Sequence, residues 1–475
     1  MNKEVRIQKI QEIIDRNDPF GKMEIPWEDQ LKSMEVYKIP LDYLVYNKYN
    51  GRILSRTKSL EKQNQLLDPE SLEGKRIIEE LLYNSNPERN SRTLKNITDF
   101  GQQKVGIITK DGIIIDGNRR AMLLNKIDKY DYFKAVVLPV TLDEDQLGIE
   151  KLETSYQMGE DEKLGYNATE KYIKAKEIYI KLTGKSNIDI KKFNEPAIKK
   201  ISDWMGETEG EIKKYLETIT IMDEYLEYLD YDGIYTQLDD REDQFLFLNK
   251  WLKNYYGEDS ARAFDGYTDS DVDDLKVIAF DYLRIRRQYD GKRFRLLADG
   301  NRDKHIFGDR AIWNSFRSKH FDVISNLPPE AEIDFNSKNI EAHLNDRDNK
   351  FFESANTEKD GNSFIENLND HEYQIGYNKA ADEPEKLVKR AAQTFDAIKT
   401  NHKAFSQDQV QDQVLNLGQK VFASLQKKSP LRVLDHIVNL LENIEVENIP
   451  ESELDKIEKR LKRIQQLGYN INKQL

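Results

Sequence analysis

Five consecutive residues carry the most chemistry in this chain: Asp116, Gly117, Asn118, Arg119 and Arg120. They follow two short apolar runs, Gly106 to Thr109 and Ile113 to Ile115, separated by Lys110-Asp111-Gly112. Asp-Gly between such runs signals a hairpin. Ala121, Leu123, Leu124 and Ile127 then recur at helical spacing. The pattern predicts a strand that runs straight into a glycine and a helix. Gly117 permits close backbone approach at that turn. The amides of residues 117 to 120 would face outward at a helix start, which favours anions. Arg119 and Arg120 add two fixed charges whose fork geometry suits phosphate. A surface turn with a solvated arginine pair is the plain alternative, because a single Gly-x-Arg-Arg is a short signal.

Other elements must hold this segment. Val36 to Leu44 reads as an extended opening segment broken by Pro40, and Ala135 to Leu138 as a further strand. Residues 36 to 140 are therefore a mixed α/β unit.

The order of these pieces resembles the N-terminal domain of ParB-type partition proteins, within the ParB/sulfiredoxin-like family. Ile39-Pro40-Leu41-Asp42 matches the family's opening, and Asn50-Gly51-Arg52 stands in place of its first, arginine-bearing loop. Leu94 to Gln103 matches its helix, the closing Gly and the polar link, and Gly117-Asn118-Arg119-Arg120-Ala121 matches its Gly-Glu-Arg-Arg box. The resemblance spans about a hundred residues and implies a pocket for a nucleoside triphosphate, CTP or ATP, with Mg2+. Gly117, Asn118, Arg119 and Arg120 would hold phosphates, with Arg52 assisting. Asn118 stands where the family has Glu, which leaves nucleotide identity and hydrolysis open. Glu153-Thr154-Ser155-Tyr156-Gln157 loosely resembles the family's metal segment and makes Glu153 the implied magnesium ligand; an ordinary helix-surface glutamate is the alternative. Sulfiredoxins use a cysteine inside this box, and this chain has 0 cysteines, so that activity is excluded.

Beyond residue 150 helical periodicity prevails, at 168–183, 198–205, 209–228, 243–255 and 271–287. The fold class is α+β: a small mixed α/β ParB/sulfiredoxin-like domain, then a mostly α-helical remainder. The expected divisions are a helical arm at 1–35, the nucleotide-binding domain at 36–150, and a helix-turn-helix-like domain at 151–235. A helical domain with a basic cluster at 236–352, a polar linker at 353–385 and C-terminal helices at 386–475 follow. The helix-turn-helix would comprise residues 197–205, a turn at Gly206, and residues 209–221. Its second helix offers only Lys213 and Lys214 beside several glutamates, so a helical hairpin used for packing is the alternative. Arg284, Arg286, Arg287, Lys292, Arg293 and Arg295 form the most basic stretch, interleaved with Tyr289 and Phe294. Arginine among aromatics suits nucleic-acid phosphates and stacked bases. A solvated helix end is the competing reading.

Composition sets the outer bounds. The chain has 475 residues, a net charge of −13 and a pI near 5.3, which argues against indiscriminate coating of nucleic acid but permits a local basic site. Six scattered histidines and no cysteine remove zinc-protease and thiolate motifs. Asp269 to Asp274 lacks the glycine and the closing glutamate of a calcium loop and reads as an acidic helix start. No apolar run reaches the roughly 18–20 residues of a membrane span, and no leader is visible, so the expected location is cytoplasmic. The leading expectation is a nucleotide-binding, DNA-associated protein whose C-terminal helices mediate self-association, with DNA as partner. A nuclease or phosphotransferase on the same fold, using Asp116 or Glu153, is the alternative. A third is an interaction protein whose pocket has lost its ligand.

Overall fold

The computed structural model describes every residue except 64–66, 159–166, 256–259, 336–338, 358–362, 381–383, 398, 400, 427–428 and 447–450. The chain divides into two units, Met1–Asp382 and Glu383–Leu475.

The first unit opens with α1 (Lys3–Asp15), β1 (Gly21–Trp27), β2 (Gln30–Pro40), β3 (Val45–Tyr46) and α2 (Leu54–Lys62). Then come α3 (Leu72–Asn84), α4 (Pro87–Phe100), β4 (Gly106–Ile108), β5 (Ile113–Asp116), α5 (Asn118–Leu124), β6 (Tyr132–Val137) and α6 (Gln146–Met158). The six strands make one mixed sheet in the order β1-β2-β6-β4-β5-β3. β4 runs parallel to β6 and β3 to β5, while the other pairs are antiparallel. Successive side chains point to opposite faces of a strand, so each strand feeds two cores. Ile39, Ile108, Ile114 and Phe133 meet Ile10, Ile78, Leu82, Ile97 and Met122 of the helices on one face. Val36, Ile107, Ile115 and Val136 meet Ile149 and Leu152 of α6 on the other.

Three local features position the site. The turn from β4 to β5 is closed at Gly112, whose φ is +81° and whose absent Cβ would lie 2.3 Å from the Tyr43 carbonyl oxygen. Asn86 caps α4, Pro87 occupies its first turn, and Gly101 ends it at φ +73°. Gln102 then accepts from Lys134 N at 2.6 Å and donates to Lys134 O at 2.8 Å, pinning the link to β6.

The sheet is larger than expected. The expected helical arm at 1–35 is helical only at its start, in α1; β1 and half of β2 fill the rest. The hairpin between them carries no local signal in the sequence, because Glu28 and Asp29 both adopt left-handed φ, +51° and +61°, without the glycine that usually marks such a turn.

The rest of the first unit is helical: α7 (Ala168–Thr183), α8 (Glu195–Met205), α9 (Glu209–Tyr228), α10 (Glu242–Tyr255), α11 (Asp269–Arg284), α12 (Arg310–Ser325), α13 (Ile340–Ala355) and α14 (Phe364–Ala380). One apolar core, including Tyr225, Trp251, Tyr282, Trp313 and Phe364, runs through them. The acidic run at the start of α11 is a helix cap, with a reciprocal Thr268–Asp271 capping box. α14 corrects the expected loop within 353–385. Phe364, Leu368, His371 and Ile375 are its buried stripe. The polar members hid the periodicity: Asn367 donates to Phe316 O at 3.0 Å and His371 Nδ1 lies 2.7 Å from Asn367 O.

The second unit holds α15 (Pro384–Asp396), α16 (Asp408–Gln426), α17 (Pro430–Glu442) and α18 (Leu454–Asn472). None of its described residues is buried, and Leu454, Leu461 and Ile464 of α18 are exposed. Among the described residues no helix is long and apolar enough to cross a membrane.

Candidate anion-binding site

β5 ends at Asp116, and Gly117 turns the chain into α5 at φ +105°. A Cβ on Gly117 would lie 2.6 Å from Phe133 Cζ and 3.1 Å from Arg120 Nη2, so both dihedral and space require glycine. α5 has 7 residues, fewer than two turns, so its macrodipole is small and the anion argument rests on the side chains.

Asn118 is buried and its side chain serves the fold. Its Nδ2 donates to Ile114 O at 2.9 Å, and its Oδ1 accepts from Asn47 N at 3.0 Å. The phosphate role implied for this side chain is therefore taken up by bonds to the backbone. Arg119 is half-buried, unlike an arginine of a solvated surface turn. Its Nε and Nη2 donate to Oδ1 of Asn90 at 2.8 and 2.6 Å. Asn90 is itself buried and anchored through Nδ2 to Leu82 O and Tyr83 O. Burial first, then the charges of Arg52, Arg89 and Arg120, push the Arg119 guanidinium down to about 10. Four arginines from the loop before α2, from α4 and from α5 thus converge. Arg120 is largely buried and pairs with Asp116 at 2.5 Å.

The loop carrying Arg52 is held from two sides. Asn47 gives its amide to Asn118 and its side chain to Glu153 Oε1, at 3.5 Å; Asn50 Nδ2 reaches the same oxygen at 3.4 Å. Glu153 Oε2 lies 3.5 Å from Lys174 Nζ. Burial raises the proton affinity of Glu153, with Lys174 opposing. Burial also acts against neighbouring Glu150, but Lys174 and Lys181 outweigh it and hold that carboxyl low.

Magnesium prefers one or two carboxylates with waters and phosphate oxygens in octahedral array. Glu153 does not fit, because its oxygens face two amides and an ammonium inside the protein. One oxygen of Asp116 is taken by Arg120. Among the described residues no group of three His, Asp or Glu side chains is arranged for a metal. The convergent arginines do fit a polyanion.

The basic residues further along are mostly engaged. Lys213 pairs with Glu195 at 2.9 Å and Lys214 with Glu211 at 3.4 Å, while α9 buries its apolar face in the core. Arg284 is buried, with Glu330 and Asp348 both at 2.7 Å, so it drops out of any nucleic-acid surface. Arg286 donates to Gln244, Arg293 pairs with Glu372 at 2.8 Å, and Arg295 lies over the Phe247 ring. Phe294 is buried against Trp251, and Tyr289 donates to Tyr282 O, so these aromatics are core residues and not stacking platforms. Arg287, Lys292 and Arg295 remain exposed. The carboxylates Glu160, Asp161 and Glu162 and the side chain of Gln157 lie outside the described residues.

Sequence reasoning missed Asn47, Arg89, Asn90 and Lys174. Only Arg89 left a signal, as a cation just inside the capped start of α4. Comparison with protein families, with curated proteins and with solved structures finds no match to this chain.

Proposed function

We propose that the N-terminal α/β part binds a nucleoside triphosphate, CTP or ATP, and that occupancy switches the binding of DNA or another partner, as the ParB-like arrangement of its motifs implies. One observation carries this reading. Arg119 is half-buried beside Arg52, Arg89 and Arg120, and its hydrogen-bond partner is a neutral amide. Like charges gathered in a partly desolvated place are stabilised by a polyanion. Phosphate oxygens supply the matching acceptors. DNA would meet the exposed Arg287, Lys292 and Arg295, with Arg286 beside them.

Calorimetric titration of the four nucleoside triphosphates, with and without magnesium and duplex DNA, tests this. Binding of one or more triphosphates, weakened by Arg119→Ala, is expected. No binding of any triphosphate to the full chain would overturn it.

A nuclease is the second reading, supported by the position of Asp116 beside the arginines. There Asp116 would act on a phosphodiester that the guanidiniums hold.

A further inference from the structure

Arg284 of α11 and Arg347 of α13 share one carboxylate. Arg284 donates from Nη1 and Nη2 to the two oxygens of Glu330, each at 2.7 Å. Arg347 Nε lies 2.9 Å from Glu330 Oε2 but is buried without a hydrogen bond of its own. Each arginine has a separate anchor. Arg284 Nε donates to Asp348 at 2.7 Å, and Arg347 Nη1 donates to Leu229 O at 2.7 Å. The two guanidiniums would therefore keep their places if Glu330 left. Glu330 has no such scaffold: it follows Pro328-Pro329 in a stretch outside any helix or strand, and its side chain is 33% exposed.

The pair opens onto a cavity of about 590 Å³. Leu229, Leu327, Pro329 and Phe351 give it apolar walls, and Arg284 lies over the Phe351 ring at 4.1 Å. His343 also lines it, with Nε2 buried and lacking a hydrogen-bond partner. Small-molecule sites have this size and this mixture of apolar walls with a few convergent polar groups.

We propose that this cavity binds a small organic monocarboxylate with an apolar, ring-sized body, and that Glu330 occupies the anion position until the ligand displaces it. The planar fork of Arg284 is already set for two carboxylate oxygens. Asp281 and Asp346 in the same lining disfavour a dianion such as a phosphate monoester. Exchanging one carboxylate for another on the same donors is close to neutral. The net gain comes from the ligand's apolar body leaving water. Burial acts against the Glu330 carboxylate, but Arg284 and Arg347 hold its proton affinity low, so it competes as an anion at neutral pH.

The probe is indole-3-acetate, titrated calorimetrically into the full chain, with neutral indole-3-ethanol as control. Glu330→Gln removes the competing anion and should tighten indole-3-acetate binding about tenfold or more, leaving the alcohol unimproved. Ser354→Trp, on the cavity wall, should abolish binding. Equal affinity of wild type and E330Q, equal gains for acid and alcohol, or no binding to folded E330Q would each overturn the proposal. If E330Q does not fold, the wild-type chain carries the test. Millimolar indole-3-acetate should raise its melting temperature and S354W should remove the rise; an unmoved wild-type melting temperature overturns the proposal.

Discussion

Arg119 directs both Nε and Nη2 at a single neutral oxygen, Oδ1 of Asn90, at 2.8 and 2.6 Å. A carboxylate in that place would orient the guanidinium and also cancel its charge; an amide only orients it. Among the described residues Nη1 of Arg119 makes no hydrogen bond. Arg119→Ala should therefore cost about 1.5–3 kcal/mol of triphosphate affinity, the worth of a charge-assisted bond. It should also lower the melting temperature modestly, since Asn90 Oδ1 loses its partner inside the protein. Arg119→Lys should rescue part of the affinity, because charge survives while the two-bond orientation does not. Unchanged affinity in the alanine variant would show that the anion binds elsewhere.

Asp116 separates switch from enzyme. Its pairing with Arg120 at 2.5 Å competes with any phosphate for that guanidinium. In a switch, Asp116→Asn releases Arg120 and should strengthen triphosphate binding several-fold. In a nuclease the same change should abolish magnesium-dependent nicking of plasmid DNA. The expected outcome is tighter binding with no nicking by either protein; clean nicking by wild type alone would reverse the ranking.

Nucleic-acid affinity tracks the number of phosphates neutralised, with a salt slope of about −0.9 per contact on duplex DNA. With Arg284 buried and Arg293 paired, the basic stretch offers fewer free cations than its composition suggests. Charge reversal at Arg286 and Arg287 should still flatten the slope by about one to two contacts. Reversal at Lys213 and Lys214 should change it less, because both lysines already face glutamates. Fluorescence anisotropy across a salt series measures both, and a full slope in the Arg286/Arg287 variant would make those arginines structural.

Glu170 of α7 is buried and receives Ser55 N at 3.0 Å and Ser55 Oγ at 2.6 Å from α2. Burial, opposed by the Ser55 bonds, pushes its carboxyl up to about 7. The folded chain thus keeps this proton up to about pH 7, whereas an unfolded glutamate releases it near about 4.3. Stability from the protonated form is complete below the lower value and is lost as pH rises through the upper one, about 4 kcal/mol in all. His305, pushed down to about 4 by burial, acts in the opposite sense over an overlapping range. The test is therefore the difference between wild type and Glu170→Gln in urea unfolding. Between about pH 4 and pH 8 that difference should shift steadily in favour of the variant; a difference that stays constant across this range would show that the fold does not hold the Glu170 proton.

The hairpin, the glycine turn and the helix from Gly106 to Leu124 were legible because each depends on local signals: alternation, Asp-Gly, and one glycine before a helical stripe. The hairpin of β1 and β2 was not, because Glu28 and Asp29 take left-handed φ that tertiary pairing imposes. The arginines of the site were readable as types, but their orientation was not. Asn90 reaches Arg119 from 29 residues away, and Glu153 reaches Asn47 from 106 away. The basic stretch misled for a related reason. Arg284 has the composition of a surface contact, yet Glu330 and Asp348, distant in sequence, hold it inside.

β1 is the outer strand of the sheet, and it contains Pro26, paired with Leu31, while Lys22 and Glu24 are exposed along it. A proline offers no amide to a newcomer, and charges along a rim resist stacking of like upon like. At the other rim, β3 is only 2 residues long, too short to template a partner. Both rims of the folded sheet are thus poor templates for edge-on addition of a strand from another molecule.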